Sequence, residues 1–296
     1  MLGLELYDAQ AVAVVIDDTG HVLGRLTVTS KDLTSAALEA LDGALSASDG
    51  SVSALGVAAT NPDAPDCRAA LEALARRYPG PFVHDGALTS GTAAAVAETW
   101  IGGASGARDV VFLAVTDHAA AGIVRDALPI FGAHRRAPAV AWLALNPVER
   151  EDYRKTGCLE AEVSAAGIVR RLVWRVKAGD RSLVQDAVNG DLAAITVNHV
   201  LEAARTGDGV SISVVRDTAK YVGMAAANLV AIADPAVLVL GGILATAADL
   251  LFEPVRMELV RRVSPIMMQS LTVAPATLGT DAAAIGAARL AMAAVQ

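Results

Sequence analysis

A chain of 296 residues, 54% of them hydrophobic, is long for one domain and apolar enough to fill two cores, which excludes a disordered chain or a coiled coil. Aromatics make up only 4%, so those cores must be packed finely from Ala, Val and Leu. A formal net charge of −8 excludes a broad phosphate-backbone-binding face, and the two cysteines, Cys67 and Cys158, exclude a disulfide framework or a paired-thiol metal site.

The opening MLGLELYDAQ carries Glu5 and Asp8, no basic residue and no long apolar block, so no secretory signal is expected there. Ala11–Ile16 is an apolar run, Asp17-Asp18-Thr19-Gly20 has turn chemistry and Val22–Val28 returns, which predicts a β-hairpin. Apolar residues at helical spacing predict helices over Ser35–Ser46, Cys67–Arg77 and Ala93–Trp100. A second hairpin is expected next: Val110–Val115 and Ala119–Val124 flank Thr116-Asp117-His118, Arg125-Asp126 turns again, and Leu128–Phe131 continues. Pro147–Thr156 clusters charge without a period and is expected to be the least ordered stretch. Further helices are predicted over Leu183–Thr206, Asp217–Ile232 and Ala247–Arg262, with a strand at Val237–Leu240 ending in a Gly-Gly turn. The apolar stretch Met224–Leu244 is interrupted by Asn228, Asp234, Pro235, Gly241 and Gly242, so no membrane span is expected.

His21, His84, His118, His134 and His199 are scattered without ligand spacing. Arg135-Arg136, and Arg170-Arg171 with Arg175, read as solvated faces. Gly102-Gly103-Ala104-Ser105-Gly106 lacks the arrangement of a nucleophile elbow and reads as a helix-ending loop.

Residues 217–293, a helix, the Val237–Leu240 strand, the glycine turn and a second helix, resemble the adenosine-binding segment of the repressor/open-reading-frame/kinase (ROK) family. That family takes in bacterial glucokinases, N-acetylhexosamine kinases and sugar-responsive repressors. The resemblance implies an α/β, two-lobed actin-like ATPase (ribonuclease H-like) fold, with mixed sheets flanked by helices. It implies an N-terminal lobe over 1–115, joined by a last helix over about 281–296, and a C-terminal lobe over 116–280. Gly279-Thr280-Asp281 resembles the start of that last helix, with Asp281 as its cap. The winged-helix segment of the family's repressors has no counterpart here, so direct operator binding is not expected.

The family's chemical motifs are altered. Its first phosphate turn, DxGGTK, falls on Glu5-Leu6-Tyr7-Asp8-Ala9-Gln10, without the glycines that let backbone N–H groups approach a phosphate. Its second, LGTGxGGG, falls on Val115–Gly122, where Gly122 alone survives and Asp117 and His118 become candidates for a cleft ligand. The ENDAN motif, whose Asp is the base for a sugar hydroxyl, falls without a gap on Leu88-Thr89-Ser90 before the Ala93–Glu98 helix. Ser90 then reads as a helix cap. With an insertion, Val83-His84-Asp85-Gly86 aligns instead and Asp85 is the base. GEIGH falls on Ala137–Trp142 and loses its sugar and zinc ligands, while CxCGxxGCLE keeps only Gly157-Cys158-Leu159-Glu160, so no structural zinc is expected. In LGGG, now Leu240-Gly241-Gly242-Ile243, Gly241 and Gly242 are weak candidates for nucleotide contact and Ile243 would crowd a ring.

The leading expectation is therefore a catalytically degenerate, cytoplasmic, homodimeric binding or regulatory protein that needs no cofactor and takes a protein partner or a small ligand, without nucleic acid or membrane. The alternatives are a divergent kinase of the glucokinase or N-acetylhexosamine kinase type using ATP, magnesium and Asp85, and an enzyme of different chemistry built on Asp117 and His118.

Overall fold

The computed structural model describes residues 1–48, 52–78 and 80–295, without the side chains of 83–86 and 295. By contact the chain divides into two units. The first comprises 1–112, 121–138 and 276–296, and the second 113–120 and 139–275. Residues 121–138 thus fall in the first unit, whereas the sequence expectation ran the second from 116 to 280.

The first unit is built on β1 (Leu2–Tyr7), β2 (Gln10–Ile16), β3 (Val22–Thr29), β4 (Leu55–Ala59) and β5 (Phe82–Thr89), ordered β3-β2-β1-β4-β5. β1, β2 and β3 pair antiparallel, and β4 and β5 join in parallel beyond β1. β2 is buried on both sides, which is why it reads as a continuous apolar run. Ala11, Ala13 and Val15 face helices α1 (Leu33–Ala47) and α2 (Pro65–Arg77), along with Leu2, Leu4 and Leu6 of β1. Val12, Val14 and Ile16 face α3 (Ser90–Trp100) and the final helix, where Ala97, Ala284, Ile285 and Ala288 meet them. α1 starts where Asp32 accepts from the Ser35 backbone N–H at 2.8 Å.

The second sheet has the order β10-β9-β6-β7-β8, from β6 (Val110–Val115), β7 (Ala119–Arg125), β8 (Leu128–Pro129), β9 (Val237–Gly242) and β10 (Thr272–Pro275). Both hairpins stand where the sequence puts them. The helices of the second unit are α4 (Glu151–Thr156), α5 (Cys158–Val163), α6 (Ala165–Lys177), α7 (Leu183–Ala187), α8 (Val197–Arg205), α9 (Gly209–Ala233), α10 (Ile243–Thr246), α11 (Ala248–Val260) and α12 (Pro265–Ser270). Ile168, Leu172, Val184, Val200 and Val214 form one core shared by α6 to α9.

Three expectations are corrected here. The helix predicted over 183–206 is two helices, because Asn189 (φ 51°) and Gly190 (φ 81°) are both left-handed, and α8 restarts only at the Thr196 cap. The stretch 147–156, expected to be least ordered, contains α4, whose Tyr153 is buried. The helix predicted from Asp217 begins at Gly209, capped by Asp208 on the Ser211 N–H at 2.9 Å.

The chain returns through Ala276 to α13 (Ala282–Val295), which lies across β1, β4 and α3 in the first unit. Close approach is possible because the sheet and helix carry glycines at the crossings. A Cβ on Gly3 would stand 1.8 Å from the Ala284 carbonyl oxygen, and one on Gly56 2.0 Å from that of Ala287. Buried Glu98 of α3 ties down the approach to α13, accepting from the N–H groups of Gly103 (2.7 Å), Thr277 (3.0 Å) and Leu278 (3.0 Å). Asp281, expected to cap α13, ends a 3-10 turn just before it, and its carboxylate accepts from Arg25 Nε. Among the described residues no helix is long and apolar enough to cross a membrane.

Candidate functional site

The ends of β1, β4 and β5 bring Glu5, Thr60 and, at the start of α3, Thr89 and Ser90 into one neighbourhood of the first unit. Glu5 on β1 pairs in register with Ala58 on β4, and Ala59 pairs with Thr89 at the end of β5. Thr89 caps α3, accepting from the Thr92 N–H at 3.3 Å, which corrects the assignment of that role to Ser90. Ser90 is instead the first helical residue, and its Oγ is sealed from solvent without a hydrogen bond of regular geometry. It lies beside the Glu5 carboxyl, near enough to favour its charged form. Burial dominates nonetheless and, with the charge of Asp281 adding to it, pushes Glu5 up to about 7. Thr60, one residue past β4, also has a sealed Oγ1 without a partner. Such hydroxyls cost about 1–3 kcal/mol each.

Asp85 lies within β5, where the register jumps from Gly56↔Val83 to Ala58↔Leu88, so β5 takes several more residues than β4 to pass the same stretch. The side chains of His84 and Asp85 are outside those described. The turn between β1 and β2 is closed by the Tyr7↔Gln10 pair, with Asp8 in the left-handed region at φ 48°.

In the second unit, His118 Nδ1 stands 3.3 Å from Glu160 Oε1, and the Ala119 N–H donates to Glu160 Oε2 at 3.1 Å. Asp117 is exposed. The polar element here is thus His118 with Glu160, a residue whose only sequence signal was its place in the retained GCLE run. Gly242, at φ 63°, is required by the fold, since a Cβ there would stand 2.0 Å from the Val115 carbonyl oxygen. Ile243 packs into the α6–α9 core.

The segment resembling the zinc loop is held by charge. Glu162, 5% exposed at its side chain, accepts from Arg150 Nη1 (3.1 Å), Arg171 Nη2 (2.6 Å) and the Tyr153 hydroxyl. Asp152 takes Arg150 (3.0 Å) and Arg170 (2.8 Å), and both of these guanidinium groups lie over Trp174, at 4.8 and 5.2 Å. Burial, together with the bond to Glu162, raises the Tyr153 hydroxyl well above its ordinary value. Arg170 and Arg171, read from sequence as a solvated face, are structural. With Glu162 and Asp152 committed to arginines, Cys158 has no set of partners fit for zinc, and among the described residues no cluster of three or more His, Cys, Asp or Glu forms a metal site. A shallow dip on α2, lined by Arg68, Leu71, Glu72 and Ala75, gathers no catalytic set.

The sequence profile of the ROK family matches residues 82–294. The chain belongs to the ROK family. A glucokinase of Halalkalibacterium halodurans is 31% identical over 65% of this chain and 59% of its own length. A glucokinase of Thermotoga maritima is 31% identical over 45% of this chain and 42% of its own length. The DNA-binding transcriptional repressor Mlc of Escherichia coli is 23% identical over 65% of the chain and 46% of its own length. The chain therefore spans about half the length of the curated ROK relatives it matches. Among solved structures, a ROK glucokinase from Streptomyces griseus in complex with glucose and AMPPNP superposes with TM-score 0.82 at 24% identity, covering 99% of both chains. A ROK transcriptional regulator homologous to Mlc superposes with TM-score 0.84 at 18% identity, over 99% of this chain and 78% of its own. These likenesses show the ROK fold, actin-like with two mixed sheets flanked by helices.

Proposed function

We propose that this ROK protein acts as a binding or regulatory protein that passes no phosphate, working in the cytoplasm as a homodimer. The reading is supported at the head of α3, where the alignment without a gap sets Ser90 against the family's Asp base, and a serine hydroxyl is no base near neutral pH. The first turn supports it, because Tyr7 and Asp8 put bulk and negative charge where backbone N–H groups would meet a polyphosphate. Losing a positioned base costs about 10²–10⁴ in rate, and phosphoryl transfer depends on orientation and charge stabilisation for most of the remainder. In a coupled assay with ATP, magnesium and glucose, mannose, N-acetylglucosamine or N-acetylmannosamine, no turnover is expected. Steady turnover with any of them overturns the reading. Light scattering should give twice the 30.2 kDa chain mass.

The second reading, an ATP-dependent sugar kinase, is favoured by the names of the curated relatives, two of which are glucokinases at 31% identity. It uses Asp85 as base. Turnover that vanishes in Asp85→Ala and persists in Ser90→Ala would establish it.

A further inference from the structure

The composition of α6 is at odds with the rest of the chain. It carries Arg170, Arg171, Arg175 and Lys177 and no carboxylate, in a protein whose net charge is −8. Arg171 turns inward to Glu162, and Arg175 is taken by Asp180. The outward side is different. Residues three and four apart on a helix are neighbours, so Ala166, Arg170, Trp174, Lys177 and Ala178 form one stripe, and all but the partly covered Arg170 are exposed.

At the centre of the stripe Trp174 stays 50% exposed, although the guanidinium groups of Arg150 and Arg170 lie over its ring. Asp152 holds both guanidinium groups and Glu162 holds Arg150 again, so the two arginines are fixed before anything binds. Each keeps open surface, 28% and 30% of its side chain, and has N–H groups beyond those the carboxylates take. Lys177 has no ion partner among the described residues.

Tryptophan and arginine supply much of the affinity where proteins meet, and side chains already ordered lose little entropy on binding. Around Trp174 the cations Arg150, Arg170, Arg171 and Lys177 outnumber the carboxylates Asp152 and Glu162, so the stripe attracts negative charge. A second copy laid on the same stripe about a two-fold axis would set these cations against their like. A long polyphosphate would find no further surplus on α4, because Arg154 and Lys155 are answered by Glu149 and Glu151.

We propose that the Trp174 stripe of α6 docks an acidic segment of a partner protein, which sets an apolar side chain on the indole and carboxylates on Arg150, Arg170 and Lys177. The surface rests on the reading of the chain as a binding protein and gives that reading a class of partner. From Ala166 to Ala178 the stripe is about 18 Å long, the reach of about five or six residues of extended chain.

The test is fluorescence anisotropy of a labelled peptide, glutamates around a phenylalanine and a leucine, titrated with the full chain. Comparison probes replace the glutamates by lysine, replace the two apolar residues by serine, or use a single-stranded oligothymidylate. The acidic apolar peptide should bind saturably, more weakly as NaCl is raised past about 0.15 M, and the other two peptides should not bind. Lys177→Glu, a surface change, and Trp174→Ala should each weaken binding about tenfold, and Lys177→Glu should keep the parent's mass by light scattering. Absence of saturable binding by the acidic peptide, or binding undiminished in both variants, overturns the proposal. So does tighter binding of the oligothymidylate that is lost in Lys177→Glu, which makes the stripe a nucleic-acid surface. A changed mass in Lys177→Glu overturns it too, by making the stripe a contact between copies. Turnover with ATP would sink the non-catalytic reading and leave this surface standing, whereas failure of the peptide to bind would sink the surface and leave that reading standing.

Discussion

Glu5 shows how one residue can change meaning between sequence and structure. In sequence it stands at the Asp of the first phosphate turn and registers only as a charge that would repel a polyphosphate. Its neighbour Ser90 is 85 positions away, and only the parallel pairing of β4 with β1 and β5 brings the two together. The pH dependence follows from the raised carboxyl. An unfolded Glu titrates near 4.5 and the folded one near 7, so rising pH ionises the unfolded chain first and stability falls across that interval. Above pH 7 the full penalty persists, at most about 3 kcal/mol, and water reaching the partly open carboxyl trims it. Glu5→Gln should therefore be more stable than the parent in urea titrations at pH 8, with the advantage vanishing toward pH 4.5. An advantage that is equal at both pH values would mean that Glu5 titrates normally. The cap of α3 was misread for a smaller reason: Thr89 and Ser90 are both competent caps, and only the strand's last ladder partner, Ala59↔Thr89, decides between them.

Among the elements, α4, α5 and α6 are where periodicity failed. Their residues pair by charge across loops rather than along an apolar stripe: Arg150, Asp152, Tyr153, Glu162 and Arg171 converge from three short segments. Charge clustered in VEREDYRK looked like a solvated loop because the partners at 162 and 171 are not visible as partners in a linear reading. Removing one member of a buried pair typically costs about 3–5 kcal/mol. Glu162→Ala should thus lower stability by about that amount, while EDTA should leave the melting temperature of the parent unchanged. A fall of several degrees with chelator would show a metal where the arginines are assigned the task. The break between α7 and α8 was legible and was missed. Asn189-Gly190 is turn chemistry, and a helix pattern running through it needed to be divided there.

At the scale of the whole molecule, the two hairpins were visible in sequence as apolar runs around turn residues, and the return of the last helix was implied by the resemblance of residues 217–293 to the ROK family. The tolerance of the α13 crossing was not visible, because a glycine in a strand gives no sign of what lies above it. Gly56→Ala drives a methyl into the Ala287 backbone and should cost about 1–3 kcal/mol, whereas Gly24→Ala meets nothing within 4 Å and should be close to neutral. Equal effects in urea titrations would remove the crossing from the account. The same crossing has a consequence for the order in which the chain can fold as it is made. β1 is made well before α13, and its α13 face stays uncovered until residues 282–292 follow, some 270 positions on. During that interval Val12, Val14 and Ile16 of β2 have only the part of their cover that α3 supplies through Ala97. The first unit thus completes its core only after the segment 139–275 of the second unit has been synthesised.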